Sequence, residues 1–115
     1  KINEQNTISA IDKLGFANQF LKIYGYAFID GFSHNNSNQT FIILSNNKEQ
    51  YKIKAQKMYR PDLSGVYNIH CNLSAFSICV NKNNIKKGKY KIYIQIKNKK
   101  YNLQKLIDTK FKIEI

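Results

Sequence analysis

An antiparallel two-sheet β-sandwich of about seven strands is what the sequence predicts, on three observations. Apolar and polar residues alternate with a period of two in several stretches, the mark of half-buried strands. The stretches recur every ~8–15 residues, with turn-forming residues between them. No stretch keeps the longer period of a helix. A small barrel satisfies the same periodicities and stays open as the alternative.

The clearest strand is Gly88–Lys97, with Tyr90, Ile92, Ile94 and Ile96 on one side and Lys89, Lys91, Tyr93, Gln95 and Lys97 on the other. Taken in order, the first 19 residues hold scattered apolar positions (Ile2, Ile8, Ile11, Leu14, Phe16) that fit neither period. A first strand is expected around Thr7–Asp12, with a turn near Gly15. Phe20–Ile29 follows, apolar or aromatic on both faces, which suits a central strand. Gly25 within it costs strand propensity and points to a close approach by a neighbour. Asp30-Gly31 opens a polar loop through Asn38, rich in turn formers. Thr40–Leu44 and Gln50–Ala55 form a hairpin around the turn at Ser45–Lys48.

Residues 57–73 show no regular pattern and are broken by Tyr59-Arg60-Pro61-Asp62-Leu63-Ser64-Gly65. Pro61 pushes Arg60 toward an extended conformation, and Asp62 is suited to accept hydrogen bonds from following amides. Ser74–Val80 is the next strand, with Phe76, Ile78 and Val80 inward. Asn81–Lys87 turns the chain, and Ile85 is expected to plug the core. After Gly88–Lys97 comes a turn at Asn98–Lys100. Asp108–Ile115 closes the chain, with Phe111, Ile113 and Ile115 alternating against Lys110, Lys112 and Glu114.

The chain has 115 residues, 43% of them apolar and 13% aromatic, which fits a single globular domain spanning the whole length. No apolar run approaches the ~20 residues needed to cross a bilayer. A chain that starts at Lys reads as a fragment or processed product, so a missing leader says little about location. The net charge is +12, carried almost entirely by Lys, with Arg60 the single arginine. Wealth in Lys, Asn, Ile and Tyr is as consistent with a background compositional bias as with a basic binding surface. The distribution is more informative. Residues 1–80 carry 8 basic against 5 acidic side chains and residues 81–115 carry 11 against 2, giving +3 and +9.

Most candidate sites have a plain explanation. If residues 71–79 were extended, Cys71 and Cys79 would lie ~26 Å apart, far beyond the ~7 Å of a disulfide. Free thiols are therefore favoured unless the chain folds back before Ser74. His34, His70 and Cys71 are too sparse for a zinc site. Asp30 with Asn35, Asn36 and Asn38 lacks both the charge and the spacing of a calcium loop. The Asn-x-Ser/Thr triplets at Asn35, Asn38 and Asn72 matter only in a secreted, glycosylated setting. Ser33 and His34 are adjacent, which supplies none of the geometry of a triad, and no phosphate-cradling glycine loop appears. The expectation is no metal, no cofactor and no enzymatic activity.

Two features remain. In Tyr59-Arg60-Pro61-Asp62, Arg60 either pairs with Asp62 or an edge carboxylate to fix the loop or, with Tyr59, faces a sugar or an acidic group. The stripe Lys89, Lys91, Tyr93, Gln95 and Lys97, with Lys110 and Lys112 on the neighbouring strand, is either a solvated face or a surface for an anionic polymer or a membrane.

The segments Gly25-Tyr26-Ala27-Phe28-Ile29, Tyr59-Arg60-Pro61-Asp62-Leu63, Ile85–Ile92 and Asp108-Thr109-Lys110 together resemble small immunoglobulin-like modules. The resemblance spans most of residues 20–115 and is to β-sandwich domains appended to bacterial cell-envelope proteins that handle surface polysaccharides or teichoic-acid-like polymers. The Cys…Trp…Cys arrangement of antibody-type domains is missing. The resemblance implies a non-catalytic accessory or binding module outside the cytoplasm, touching an envelope glycopolymer or a protein partner. Two other roles stay open: a β-domain for single-stranded nucleic acid or another polyanion, using Tyr90, Tyr93 and Tyr101, and a structural spacer.

Overall fold

The computed structural model describes residues 7–29, 38–67 and 73–115. The strands are β1 (Thr7–Ala17), β2 (Phe20–Ile29), β3 (Asn38–Ser45), β4 (Gln50–Lys54), β5 (Gln56–Met58), β6 (Ala75–Asn81), β7 (Lys89–Asn98) and β8 (Leu103–Glu114). They form two antiparallel four-stranded sheets, ordered β1-β2-β6-β5 and β4-β3-β7-β8. The expected all-β two-sheet sandwich is therefore the fold, with eight strands among the described residues rather than about seven.

The core is the alternation made solid. Leu21, Ile23, Ala27 and Ile29 of β2 and Phe76 and Ile78 of β6 meet Ile42 and Leu44 of β3 and Tyr90, Ile92, Ile94 and Ile96 of β7. Burying each large side chain contributes ~1.5–3 kcal/mol. Ile85 plugs the same core from the β6–β7 connection, as the sequence suggests. At that corner the Tyr90 hydroxyl donates to the Lys86 carbonyl at 2.6 Å, and the Lys86 amide donates to the Tyr51 hydroxyl at 3.0 Å. The two rings meet edge to face, 6.0 Å apart. Burial, then the neighbouring Tyr51 and Glu49, push the Tyr90 hydroxyl above its ordinary pKa.

Three elements depart from expectation. β1 does not turn near Gly15 but runs on to Ala17, and the chain reverses at Asn18-Gln19 with Asn18 at φ 55. Asn is one of the few residues that tolerate this left-handed geometry. A register shift between Ile11 and Lys13 moves the core-packed position from Ile11 to Leu14 and leaves Phe16 exposed, which is why β1 fits neither period. Beside it lies Gly25, where a Cβ would sit 2.2 Å from the Ala10 carbonyl oxygen. This is the close approach that the glycine signals.

The second departure is in residues 57–73, where β5 is followed by a helix, α1 (Pro61–Tyr67). Pro61 opens it, the position where a missing N–H costs nothing, and Asp62 lies in the first turn. At 7 residues it is too short to show a period. Leu63 packs on the outer face of the first sheet against Phe28 and Ala75, with Ile8 and Tyr26 alongside. This satellite core explains why β2 is apolar on both faces.

Third, β8 begins at Leu103, not Asp108, and is interrupted opposite Ile92. Lys110 there has φ 65, and its amide donates to Asp108 Oδ1 at 2.9 Å. Thr109 donates its hydroxyl to the Ile92 carbonyl at 2.6 Å and accepts the Phe111 amide at 3.1 Å. Ile113 and Ile115 still pack on the core, but the bulge turns Phe111 outward and leaves it exposed.

Candidate ligand face of the second sheet

Residues paired across antiparallel strands point to the same side, so the register maps the outer face of β4-β3-β7-β8 directly. One row reads Lys54, Phe41, Gln95, Leu106; the next reads Lys52, Ile43, Tyr93, Asp108; a third reads Gln50, Ser45, Lys91, Lys112. Lys97 opposite Gln39 and Lys89 opposite Glu114 complete the rim. The expected stripe of Lys89, Lys91, Tyr93 and Lys97 is thus assembled on one face with Lys112.

This face is not simply solvated. Ile43 and Gln95 are each only 8% exposed, although they point away from the core. Lysine side chains provide the cover: Lys52 Nζ lies 4.4 Å and Lys97 Nζ 5.4 Å from the centre of the Phe41 ring. A cation over an aromatic face is attracted to the ring, yet two cations over one ring repel each other. Lys97 and, next, desolvation hold the Lys52 ammonium below the ordinary lysine pKa. Gln95 Oε1 is buried here with no hydrogen-bond partner among the described residues.

Lys91 and Lys112 form a second like-charged pair, directly opposite each other. Among the described residues, no salt bridge engages Lys89, Lys91, Lys97 or Lys112. Between this pair and the β3–β4 turn lies an open groove of about 400 Å³, lined by Asn46, Asn47, Lys89, Lys91, Tyr93 and Lys112. Asn46 Oδ1 accepts the Lys48 and Glu49 amides at 2.8 and 2.7 Å, which fixes the turn that forms one wall. Lys110, on the bulge, lines a smaller pocket of about 220 Å³ with Lys91, Lys112, Asp108 and Phe111, and its ammonium lies 3.4 Å from Asp108. The Lys110 amide foremost, then the Lys110 ammonium and Lys91, keep the Asp108 carboxyl below its usual range.

The other candidate group, Tyr59, Arg60 and Asp62, lies at the foot of α1 on the first sheet. Arg60 donates to Asp62 Oδ2 at 2.9 Å and Oδ1 at 3.3 Å, and to Asp12 Oδ2 at 2.9 Å. It also lies 5.9 Å from the Tyr26 ring centre, so it ties the start of α1 to the β1 bulge. Tyr59 is 66% exposed beside it. Hydrogen bonding from Arg60 holds Asp62 below its usual pKa. A shallow cavity of about 300 Å³ opens next to this clamp, floored by Tyr24, Gly25 and Met58.

The three tyrosines suggested as a stacking platform are dispersed. Tyr90 is in the core, Tyr93 is half-buried on the outer face, and Tyr101 is exposed in the β7–β8 turn with Lys100 over its ring. Cys79 is a free, exposed thiol on β6. Cys71, His34, His70 and the loop from Asp30 to Ser37 lie outside the described residues. Among the described residues no three His, Cys, Asp or Glu side chains gather as a metal site requires, and no helix is long and apolar enough to cross a membrane.

Sequence reading missed Phe41, Ile43, Lys52 and Asp12. The first two were signalled by the run Phe41-Ile42-Ile43-Leu44, apolar on both faces just as β2 is. Asp12 meets Arg60 across 48 positions of sequence, and nothing local announces that pairing. No family model, curated protein or solved structure matches the chain.

Proposed function

We propose that this chain is a non-catalytic, immunoglobulin-like binding module that holds an anionic glycopolymer of the bacterial cell envelope against the outer face of β4-β3-β7-β8. The immunoglobulin-like part is supported by strand order. Reading β1, β2, β6 and β5 as A, B, E and D, and β4, β3, β7 and β8 as C′, C, F and G, gives the order of that fold. Tyr90, at the start of the F-equivalent strand and bonded four residues upstream, takes the place of its tyrosine corner.

The observation that carries the ligand class is Lys91 opposite Lys112, at a groove where no carboxylate neutralises either in a salt bridge among the described residues. Like charges placed face to face cost stability, and an anion between them reverses the sign of that term. A polymer recognised by charge is favoured over nucleic acid because the rings at the centre of the face are not free to stack, and Phe111 on the bulge is a single exposed ring rather than a platform. Phe41 lies beneath two ammonium groups, and Tyr93 is half-buried.

NMR titration with anionic glycans, neutral glycans and single-stranded DNA at two salt concentrations tests the reading. Anionic glycans are expected to shift Lys89, Lys91, Tyr93 and Lys112, with affinity falling as salt rises. Tighter retention of single-stranded DNA favours a nucleic-acid domain instead. Shifts confined to Tyr59–Asp62 move the site to the first sheet, and indifference to every polymer leaves a spacer. Turnover of any substrate by the chain overturns the non-catalytic assignment.

A further inference from the structure

Resting on that polyanion reading, we infer that the ligand is a linear chain of repeated charges lying along β7, held at two separate stations, so that recognition has a minimum length. The first station is the groove, where Lys89, Lys91 and Lys112 converge beside the amide side chains of Asn46 and Asn47. Ammonium groups are compact point charges on flexible stems, a set that suits phosphate oxygens better than the planar fork a carboxylate prefers. The second station is the pair Lys52 and Lys97 over Phe41. Phe41 pairs with Gln95, four residues beyond Lys91 on the same strand. At ~3.3 Å per residue the stations are therefore ~13 Å apart.

Between them lies the row Lys52, Ile43, Tyr93, Asp108, apolar at its centre, with the Asp108 carboxylate on its β8 side held by Lys110. Ile43 and Tyr93 sit opposite each other, and Ile43 is nearly buried. A small anion can occupy one station only. A chain that spans the gap engages both, and the second contact forms at high effective concentration because it is tethered by the first.

The test is isothermal titration and NMR of the intact chain with orthophosphate, tripolyphosphate and a long-chain polyphosphate. The short anions are expected to shift groove residues first, and the long chain to shift Lys52, Lys97 and Phe41 as well and bind ~10²-fold tighter than tripolyphosphate. In the Lys52→Gln/Lys97→Gln variant that long-to-short ratio falls toward one, while Lys91→Gln/Lys112→Gln weakens every length. These are surface lysines, and an unchanged spectrum of core amides verifies that the variants fold. Should a variant not fold, the order in which wild-type residues shift with chain length decides the same point. A long-to-short ratio near one in the wild-type chain, or shifts spread evenly over all exposed lysines, overturns the two-station inference while leaving polyanion binding intact. No binding by any length overturns the polyanion reading itself.

Discussion

The outer faces of the two sheets both carry aromatic side chains where a simple sandwich would be polar: Tyr26 and Phe28 on the first, Phe41 and Tyr93 on the second. On the first, the chain supplies its own cover. Leu63 of α1 seals Phe28 and Ala75, and Arg60 bonds to Asp12 and Asp62 at the seam, so opposite charges meet. On the second, among the described residues, no helix or strand is laid over the apolar rows. Lysine stems do the covering, and like charges are left facing one another at Lys91 and Lys112 and over Phe41. A face built for stability pairs its charges. The second face leaves Lys89, Lys91, Lys97 and Lys112 without a salt bridge among the described residues.

The largest effect that tests this contrast is on stability. Leu63→Ala opens the satellite core and is expected to cost ~2–4 kcal/mol, whereas Phe41→Ala, on the uncovered face, is expected to cost ~1 kcal/mol or less. Urea unfolding midpoints of the two variants measure the difference. Equal losses would mean that the second face is as much a packed core as the first, and the contrast would be gone.

Next in size is the charge clamp. Arg60→Met removes both carboxylate partners and is expected to lower stability by less than Leu63→Ala, because the groups are partly exposed. Arg60 depresses the Asp62 pKa, so the stabilisation is fully present above the ordinary carboxylate value of ~3.9 and is lost as pH falls through the depressed one. Wild type and Arg60→Met should therefore differ at neutral pH and converge in acid. A gap between them that widens in acid would break the pairing account.

How much of this was legible beforehand follows from range. The core strands were readable because the alternation of Leu21, Ile23, Phe76, Ile78 and Tyr90–Ile96 is local, and a period of two has one physical solution. Interruptions were not. The bulges at Asp12 and Thr109–Phe111 invert or displace the alternation within a strand, and Pro61–Tyr67 is shorter than the two turns a period requires. The lysine stripe was visible on β7. Lys112 was legible too, on the strand expected beside it, but Lys52 was not, since it reaches this face through the pairing of β4 with β3.

A smaller effect comes from relieving repulsion on the second face. Lys112→Gln leaves Lys91 without a like charge opposite and is expected to be neutral or to stabilise by ~0.5 kcal/mol, even though it weakens anion binding. Thermal unfolding at low salt is the measurement, since added salt screens the term. Clear destabilisation would show that Lys112 supports the sheet by its stem more than it burdens it by charge.

The smallest effect is the most direct reading of that repulsion. Lys52 titrates below the ordinary lysine value near 10.5, with Lys97 the first cause and desolvation the second. For a cation whose folded pKa is lowered, the penalty is fully present below the lowered value and falls away as pH rises from there to the ordinary lysine value. Lys97→Gln should therefore move Lys52 upward, as followed by the NMR shifts of its terminal carbon and nitrogen. Polyphosphate should move it in the same direction, drawing protons from solvent when the pH lies near the lowered value. Calorimetry in buffers of different ionisation enthalpy would register that uptake. If Lys52 stays depressed after Lys97→Gln, desolvation against the Phe41 ring rather than the second ammonium sets it, and the face carries a desolvated lysine rather than a like-charged pair.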